Sequence, residues 1–87
     1  MAYVVGEKYF IRTVAMIYTG KLVEVHDKEL VITDAAWIAD TGRFAQAVAT
    51  GCFFEVEPYP DSAQVIIGRE AILDALIVKW DLPRDQK

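Results

Sequence analysis

Two short polar segments carry the side chains that could bind a ligand in this chain. The first is His26-Asp27-Lys28, which separates two apolar runs, and the second is Gly68-Arg69. A guanidinium can stack on a nucleobase or bind a phosphate through paired N–H donors. An imidazole offers a flat ring that titrates near neutral pH, and glycine lets a ligand approach the backbone closely. These residue types favour a nucleic-acid site, with ordinary solvated turns as the alternative.

Catalytic and metal chemistry lack the necessary side chains. The chain has one histidine and one cysteine, which are too few for a zinc site of four protein ligands. Its single serine, Ser62, lies in a proline-rich turn with no base nearby in the sequence, and no glycine-rich phosphate loop occurs. We therefore expect neither enzymatic activity nor a metal or other cofactor.

Composition limits the size of the protein and indicates self-association. The 87 residues allow one domain, and 54% of them are hydrophobic, above the usual ~45–50%. A domain this small has a thin core, so the apolar excess favours a subunit interface. The formal net charge of −4 repels phosphate, so any nucleic-acid binding needs a local cluster of cations.

The sequence also favours an intracellular, soluble protein. The N-terminus lacks the pattern of a signal peptide, and the apolar run from Tyr9 to Tyr18 contains Arg12 and is too short to cross a bilayer. Cys52 lies beside two phenylalanines, which predicts a buried, reduced thiol. Trp37 and Trp80 are expected in the core or an interface, with base-stacking platforms as the alternative.

Hydrophobic alternation predicts three strands in the first part of the chain. They are Lys8 to Tyr18, Lys21 to His26 and Glu29 to Thr33. Thr19-Gly20 would form the first turn, and the polar tripeptide at 26–28 would form a tight hairpin tip.

A short helix is predicted over Gly42 to Thr50, because apolar residues recur there at helical spacing. Asp40 or Thr41 could cap its first turn, and Gly51 stands where a left-handed terminator belongs. The alternative is a hairpin that turns at residues 40–42.

The second half of the chain returns to strands, within 52–58 and at Val65 to Ile67. Residues 70–80 fit either a strand or a helix, and their β-branched residues favour a strand. The expected fold is therefore mainly β, a small and strongly bent barrel of five to six antiparallel strands. One short helix is inserted between the third and fourth strands.

The sequence resembles the Sm-like ring proteins, the family of the Sm, LSm and Hfq barrels, and most of all small phage- or marine-type members. The first family motif is matched by Gly20, Leu22, Val25, Leu30, Val31, Ile32, Asp34 and Ala35. The second is matched by Ile66, Ile67, Gly68, Arg69 and Ile72, with glycine and arginine exchanged. Glu29 falls where the family has a base-contacting asparagine, although a carboxylate can accept hydrogen bonds from guanine or cytosine edges.

The resemblance implies one Sm-like domain over residues 1–87 and a closed homo-oligomeric ring of about five to seven subunits. In such a ring the fourth strand of each subunit pairs with the fifth strand of the next. The implied interface residues are Val65, Ile66, Ile67, Ile72, Leu73 and Leu76. The alternative is that these side chains fill the core of one subunit.

At the pore, the resemblance implies a site for single-stranded RNA or DNA formed by His26, Asp27, Lys28, Glu29, Gly68 and Arg69. The function would then be non-catalytic, in the processing or protection of RNA or DNA. The alternative is a structural or adaptor homo-oligomer that binds protein and no nucleic acid, which the acidic composition favours.

Overall fold

Six antiparallel strands form one sheet in the computed structural model, which describes residues 3–87. The strands are β1 Lys8–Thr13, β2 Ile17–Val25, β3 Glu29–Asp40, β4 Glu55–Pro58, β5 Val65–Gly68 and β6 Ile72–Val78. One α-helix, α1 Phe44–Thr50, lies between β3 and β4, and a 3-10 turn, Arg69–Ala71, joins β5 to β6. The predicted mainly-β, strongly bent fold with a short helix between the third and fourth strands is confirmed.

Strand β3 organises the sheet because it pairs with three other strands. The order is β4-β3-β2-β1-β6, and β5 also pairs with β3. Residues 29–32 of β3 pair with β5, whereas residues 36–40 pair with β4. Between the two halves, Asp34 has a φ of 49°, outside the extended region. The two halves of β3 therefore belong to differently directed parts of a bent sheet.

The strand β1 is buried on both faces, so the domain has two core clusters. Tyr9 and Ile11 face one cluster, and Phe10 between them faces the other. The first cluster consists of Tyr9, Ile11, Leu22, Leu30, Ile32, Ala35 and Ile67. The second consists of Phe10, Ala36, Ile38, Ala47, Phe53, Val56 and Val78, so the helix covers that face through Ala47.

The prediction of one long strand from Lys8 to Tyr18 is wrong, because the chain reverses at residues 14–16. The Thr13 side chain makes this turn, since its Oγ1 donates to the Met16 carbonyl at 2.7 Å and accepts from the Met16 amide at 2.9 Å. No glycine or proline is involved, so the turn has no signal in the composition. The predicted turn at Thr19-Gly20 instead lies within β2.

The helix begins two residues later than predicted, and its predicted N-terminal caps are wrong. Its N-cap is Arg43, which makes no side-chain cap. Asp40 ends β3, beyond the predicted strand end at Thr33, and its carboxylate accepts from the Gly42 amide at 2.8 Å within the connecting turn. The predicted terminator is confirmed, since Gly51 has a φ of 76° and donates to the Ala47 carbonyl.

The predicted burial of Cys52 is wrong, and Trp37 lies outside the core of the subunit. Cys52 is exposed, and Phe53 beside it is buried instead. Trp37 is 37% exposed, on the face of β3 opposite to that of its buried neighbours Ala36 and Ile38. Trp80 is half-buried as expected, and its indole donates to the Val48 carbonyl at 2.8 Å.

The strand interpretation of residues 72–78 is confirmed, and the helical alternative is limited to the 3-10 turn before it. β6 pairs with β1 from Lys8 opposite Val78 to Thr13 opposite Ile72. Within residues 3–87 no helix has the length and apolarity to span a bilayer.

We expect Gly20→Ala to lower the free energy of unfolding by about 1–3 kcal/mol. A Cβ at this position would lie 2.9 Å from Ile32 Cδ1 and 3.2 Å from the Thr33 carbonyl oxygen. The matched control is Gly68→Ala, where a Cβ meets no atom within 4 Å, so its effect should stay within about 0.5 kcal/mol. Urea denaturation measures both, and equal effects would contradict the close packing of β2 on β3.

Candidate functional site

The hairpin tip at residues 26–28 lies beside the 3-10 turn that follows β5. β2 ends at Val25, one residue before the predicted end, and β3 begins at Glu29 as predicted. The His26 amide closes the tip by donating to the Glu29 carbonyl at 2.8 Å. The pairing of β5 with β3 places Gly68 opposite Glu29. The structure therefore brings all six predicted ligand-binding residues to one end of the molecule.

Arg69 links the 3-10 turn at residues 69–71 to the hairpin tip at residues 26–28 by hydrogen bonds. Its backbone amide donates to the Lys28 carbonyl at 3.0 Å, and its Nη1 donates to the His26 carbonyl at 2.8 Å. Its guanidinium carbon also lies 5.2 Å from the centroid of the Tyr3 ring, a cation–π geometry. The guanidinium therefore has a structural role within the subunit, which the sequence pattern did not predict.

The groups most accessible to a ligand are on the tip itself. Lys28 is exposed, and its side chain forms no ion pair with any residue in 3–87. His26 is about half-exposed, and its Nε2 lies 2.7 Å from Glu24 Oε1. This contact holds the ring in place, and a protonated imidazole would form an ion pair there.

Acidic side chains outnumber basic ones at this end of the molecule. The carboxylates on and beside the tip and the turn are Glu24, Asp27, Glu29 and Glu70, whereas the cations are Lys28 and Arg69. The local field of one subunit therefore opposes phosphate binding, in agreement with the overall charge. Any anion must contact the cations directly.

Among residues 3–87, no strand lies beside the outer edges of β5 and β6. The outer edge of β4 is different, because Val56 and Lys87 exchange two backbone hydrogen bonds of 2.9 Å across it. Arg84 fixes this last segment, since its guanidinium donates to the carbonyls of Ala35 and Tyr59 and to the Asp61 carboxylate. The sequence of residues 84–87 does not indicate this edge contact, because a single backbone pair produces no hydrophobic alternation.

The predicted interface residues divide into exposed and buried side chains. Ile66 is 62% exposed, Leu73 63% and Leu76 45%, and they are joined by Ile77 at 39%. The sequence interpretation did not include Ile77.

The other predicted interface side chains pack within the subunit, which is the alternative stated for them. Ile67 is only 5% exposed in the first core cluster, and Val65 and Ile72 pack against that cluster. Their strands still carry the free backbone edges, so their backbone, and not their side chains, is available to a neighbour.

An ion pair between Arg12 and Asp74 links β1 to β6. Arg12 donates from Nε to Asp74 Oδ1 at 2.9 Å and from Nη2 to Oδ2. These hydrogen bonds and the positive charge lower the pKa of the Asp74 carboxyl. Both charges are therefore already paired inside the subunit, and the free edge of β6 presents mainly apolar side chains.

Clusters that could hold a metal are absent from the described chain, where no three His, Cys, Asp or Glu side chains converge. The exposed Cys52 lines a cleft of about 280 Å³ between the helix and residue 87, with Arg43 and Phe54 on its walls. The single imidazole lies elsewhere, on the hairpin tip. A comparison with known protein families, curated proteins and solved structures finds no match to this chain.

We expect Arg69→Ala to accelerate hydrogen exchange of the His26 amide about fivefold, because a hydrogen bond contributes ~1 kcal/mol net. The substitution removes the guanidinium contact to the His26 carbonyl and loosens the tip. Lys28→Ala is the control, since this neighbouring side chain makes no such contact. NMR or mass spectrometry measures the exchange rate. Equal rates in Arg69→Ala and the unmodified protein would contradict the structural role of the guanidinium.

Proposed function

We propose that this chain is a non-catalytic subunit of a closed homo-oligomeric ring that binds single-stranded nucleic acid at its hairpin tips. The observation that carries the assembly is the pair of free sheet edges on β5 and β6, beside a third edge that the chain itself covers. Unpaired edges bind other strands, and a head-to-tail contact between two different edges closes into a ring when the rotation permits. The resemblance to Sm-like rings points to the same pairing of fourth and fifth barrel strands, here β5 and β6.

Apolar side chains add to the backbone pairing at these edges. Ile66 on β5 would meet Leu73 and Leu76 on β6 of the next subunit. Burying the exposed part of each side chain contributes about 1 kcal/mol, and each backbone hydrogen bond formed between the edges contributes a similar amount. These contributions act together against the entropic cost of association. They also account for a hydrophobic fraction that exceeds the needs of one thin core.

Ring closure supports the nucleic-acid proposal because it repeats the tip in every subunit. Lys28 and His26 would recur around one opening, and each exposed imidazole offers a flat surface for a base. Arg69 supports this surface by fixing the tip to the turn. The ring would act passively, holding a single strand without a cofactor, as in RNA or DNA processing or protection.

A structural or adaptor ring that binds protein is the second candidate, and the excess of carboxylates at the tips favours it. A ring would repeat Glu29 and Glu70 in every subunit, as well as Lys28. A basic protein segment would meet this charge favourably, whereas a phosphate backbone would be bound only by the lysines. The two candidates share the assembly and differ in the ligand.

We expect Ile66→Lys to convert the oligomer into monomers, because it places a charge within the apolar contact between β5 and β6. The control is Val14→Lys, which changes a residue 73% exposed in the turn between β1 and β2, outside β5 and β6. Native mass spectrometry measures both variants and the unmodified protein. A monomeric unmodified protein, or an oligomer that survives Ile66→Lys, would contradict the proposed interface.

We expect one U-rich RNA strand to add to each ring in a native mass spectrum, with an affinity that falls steeply as salt rises. Lys28→Ala should lower the affinity by at least tenfold, since it removes one cation from every subunit at once. The control is Lys21→Ala, which removes an exposed lysine on β2 outside the tip. A ring that binds no RNA would leave the adaptor as the function.

A further inference from the structure

A groove of aromatic and proline side chains lies on the β4 side of the sheet, apart from the tips and from the free edges. Its volume is about 230 Å³, and it is lined by Trp37, Glu57, Pro58, Tyr59 and Pro60. None of these residues belongs to β5, β6 or the hairpin tip. Neither the core nor the proposed ring contact explains why Trp37 is left 37% exposed here.

The sheet holds the groove in shape. Tyr18, Trp37 and Glu57 stand opposite one another across β2, β3 and β4, so their side chains share one face. The Tyr59 amide donates to the Ala35 carbonyl at 2.8 Å, and its ring stacks on Tyr18 with centroids 6.5 Å apart. The site therefore exists before any ligand binds, and little ordering is needed on binding.

The groove continues into a second cleft of about 410 Å³ that reaches Asp61 and Arg84. Arg84 Nη2 donates to the Tyr59 carbonyl at 2.8 Å and to Asp61 Oδ1 at 2.7 Å. These hydrogen bonds hold the backbone of residues 59–61, which lines the clefts. Pro58 and Pro60 flank Tyr59 and restrict the backbone on both sides of it. The two clefts share residues 57–60, so an extended chain could contact both.

We propose that this groove binds a proline-rich segment of another protein in the polyproline II conformation, with a basic residue next to the prolines. Such segments are already extended when free, lose little entropy on binding, and dock between aromatic rings. Trp37 and Tyr59 supply the rings, and the indole N–H can donate to a ligand carbonyl, which polyproline II leaves without an internal partner.

Charge selects the basic residue and disfavours RNA as the occupant. The exposed Glu57 carboxylate forms no ion pair with any residue in 3–87, and the chain carries a net charge of −4. An arginine or lysine beside the prolines would pair with Glu57, whereas a phosphate at the same place would be repelled. The inference goes beyond the proposed function and does not depend on ring formation.

The test uses protein labelled with 5-fluorotryptophan, whose two fluorine signals report Trp37 and Trp80 separately. Trp80→Phe assigns the signals. The probe is a synthetic peptide of one arginine followed by nine prolines, and the comparison peptides replace the arginine with glutamate or the prolines with alternating glycine and serine. We expect the arginine peptide to shift the Trp37 signal and leave that of Trp80 in place. The glutamate peptide should bind roughly threefold to tenfold more weakly, and the glycine-serine peptide should not bind.

Variants separate the aromatic contact from the charge contact. Trp37→Ala should lower the affinity at least tenfold, measured by calorimetry, whereas Phe54→Ala, at an exposed aromatic outside the groove, should not change it. Glu57→Gln should abolish the difference between the arginine and glutamate peptides, and it provides a test on a folded protein if Trp37→Ala does not fold.

Two results would overturn the proposal. One is an unmoved Trp37 signal at millimolar arginine peptide. The other is a U-rich RNA that shifts Trp37 and displaces the peptide, which would assign the groove to nucleic acid. Native mass spectrometry on the same samples reports the oligomeric state, so a missing ring and an empty groove are distinguishable outcomes.

Discussion

The structure depends on the pairing of β3 with three other strands. One side of this twelve-residue strand binds β2, and its other side binds β5 and β4 in succession. A single straight strand could not bind two partners end to end and also enclose a core, so the change of direction at Asp34 is required. Through this strand the hairpin tip lies beside the turn after β5, and Trp37 lies beside Glu57.

Three of the four arginines bind other segments of their own subunit. Arg12 pairs with Asp74, Arg69 binds the His26 carbonyl, and Arg84 binds the carbonyls of Ala35 and Tyr59. Each joins segments that are distant in the chain, because the planar guanidinium can bind several acceptors at once. A sequence pattern shows an arginine in a turn and not the carbonyls around it. This explains why the role of Arg69 in the fold could not be read from the Gly-Arg dipeptide, although its position at the tip could.

The sequence predicted those parts of the fold that repeat locally. Alternation located the start of β3 at Glu29 and the end of β2 to within one residue, and helical spacing with Gly51 located the helix end. The turn at residues 14–16 was missed because Thr13 makes it with side-chain hydrogen bonds. The exposure of Trp37 was missed because burial on β3 depends on which partner strand covers each half.

The two-sided burial of β1 has a consequence for biosynthesis. β1 pairs with β2, its neighbour in the chain, and with β6, which ends at Val78. One side of β1 therefore stays without its partner strand until β6 has left the ribosome. Contacts between such distant segments form slowly. Tyr9, Phe10 and Ile11, which lie opposite β6, therefore lack the cover of this strand until it pairs with β1.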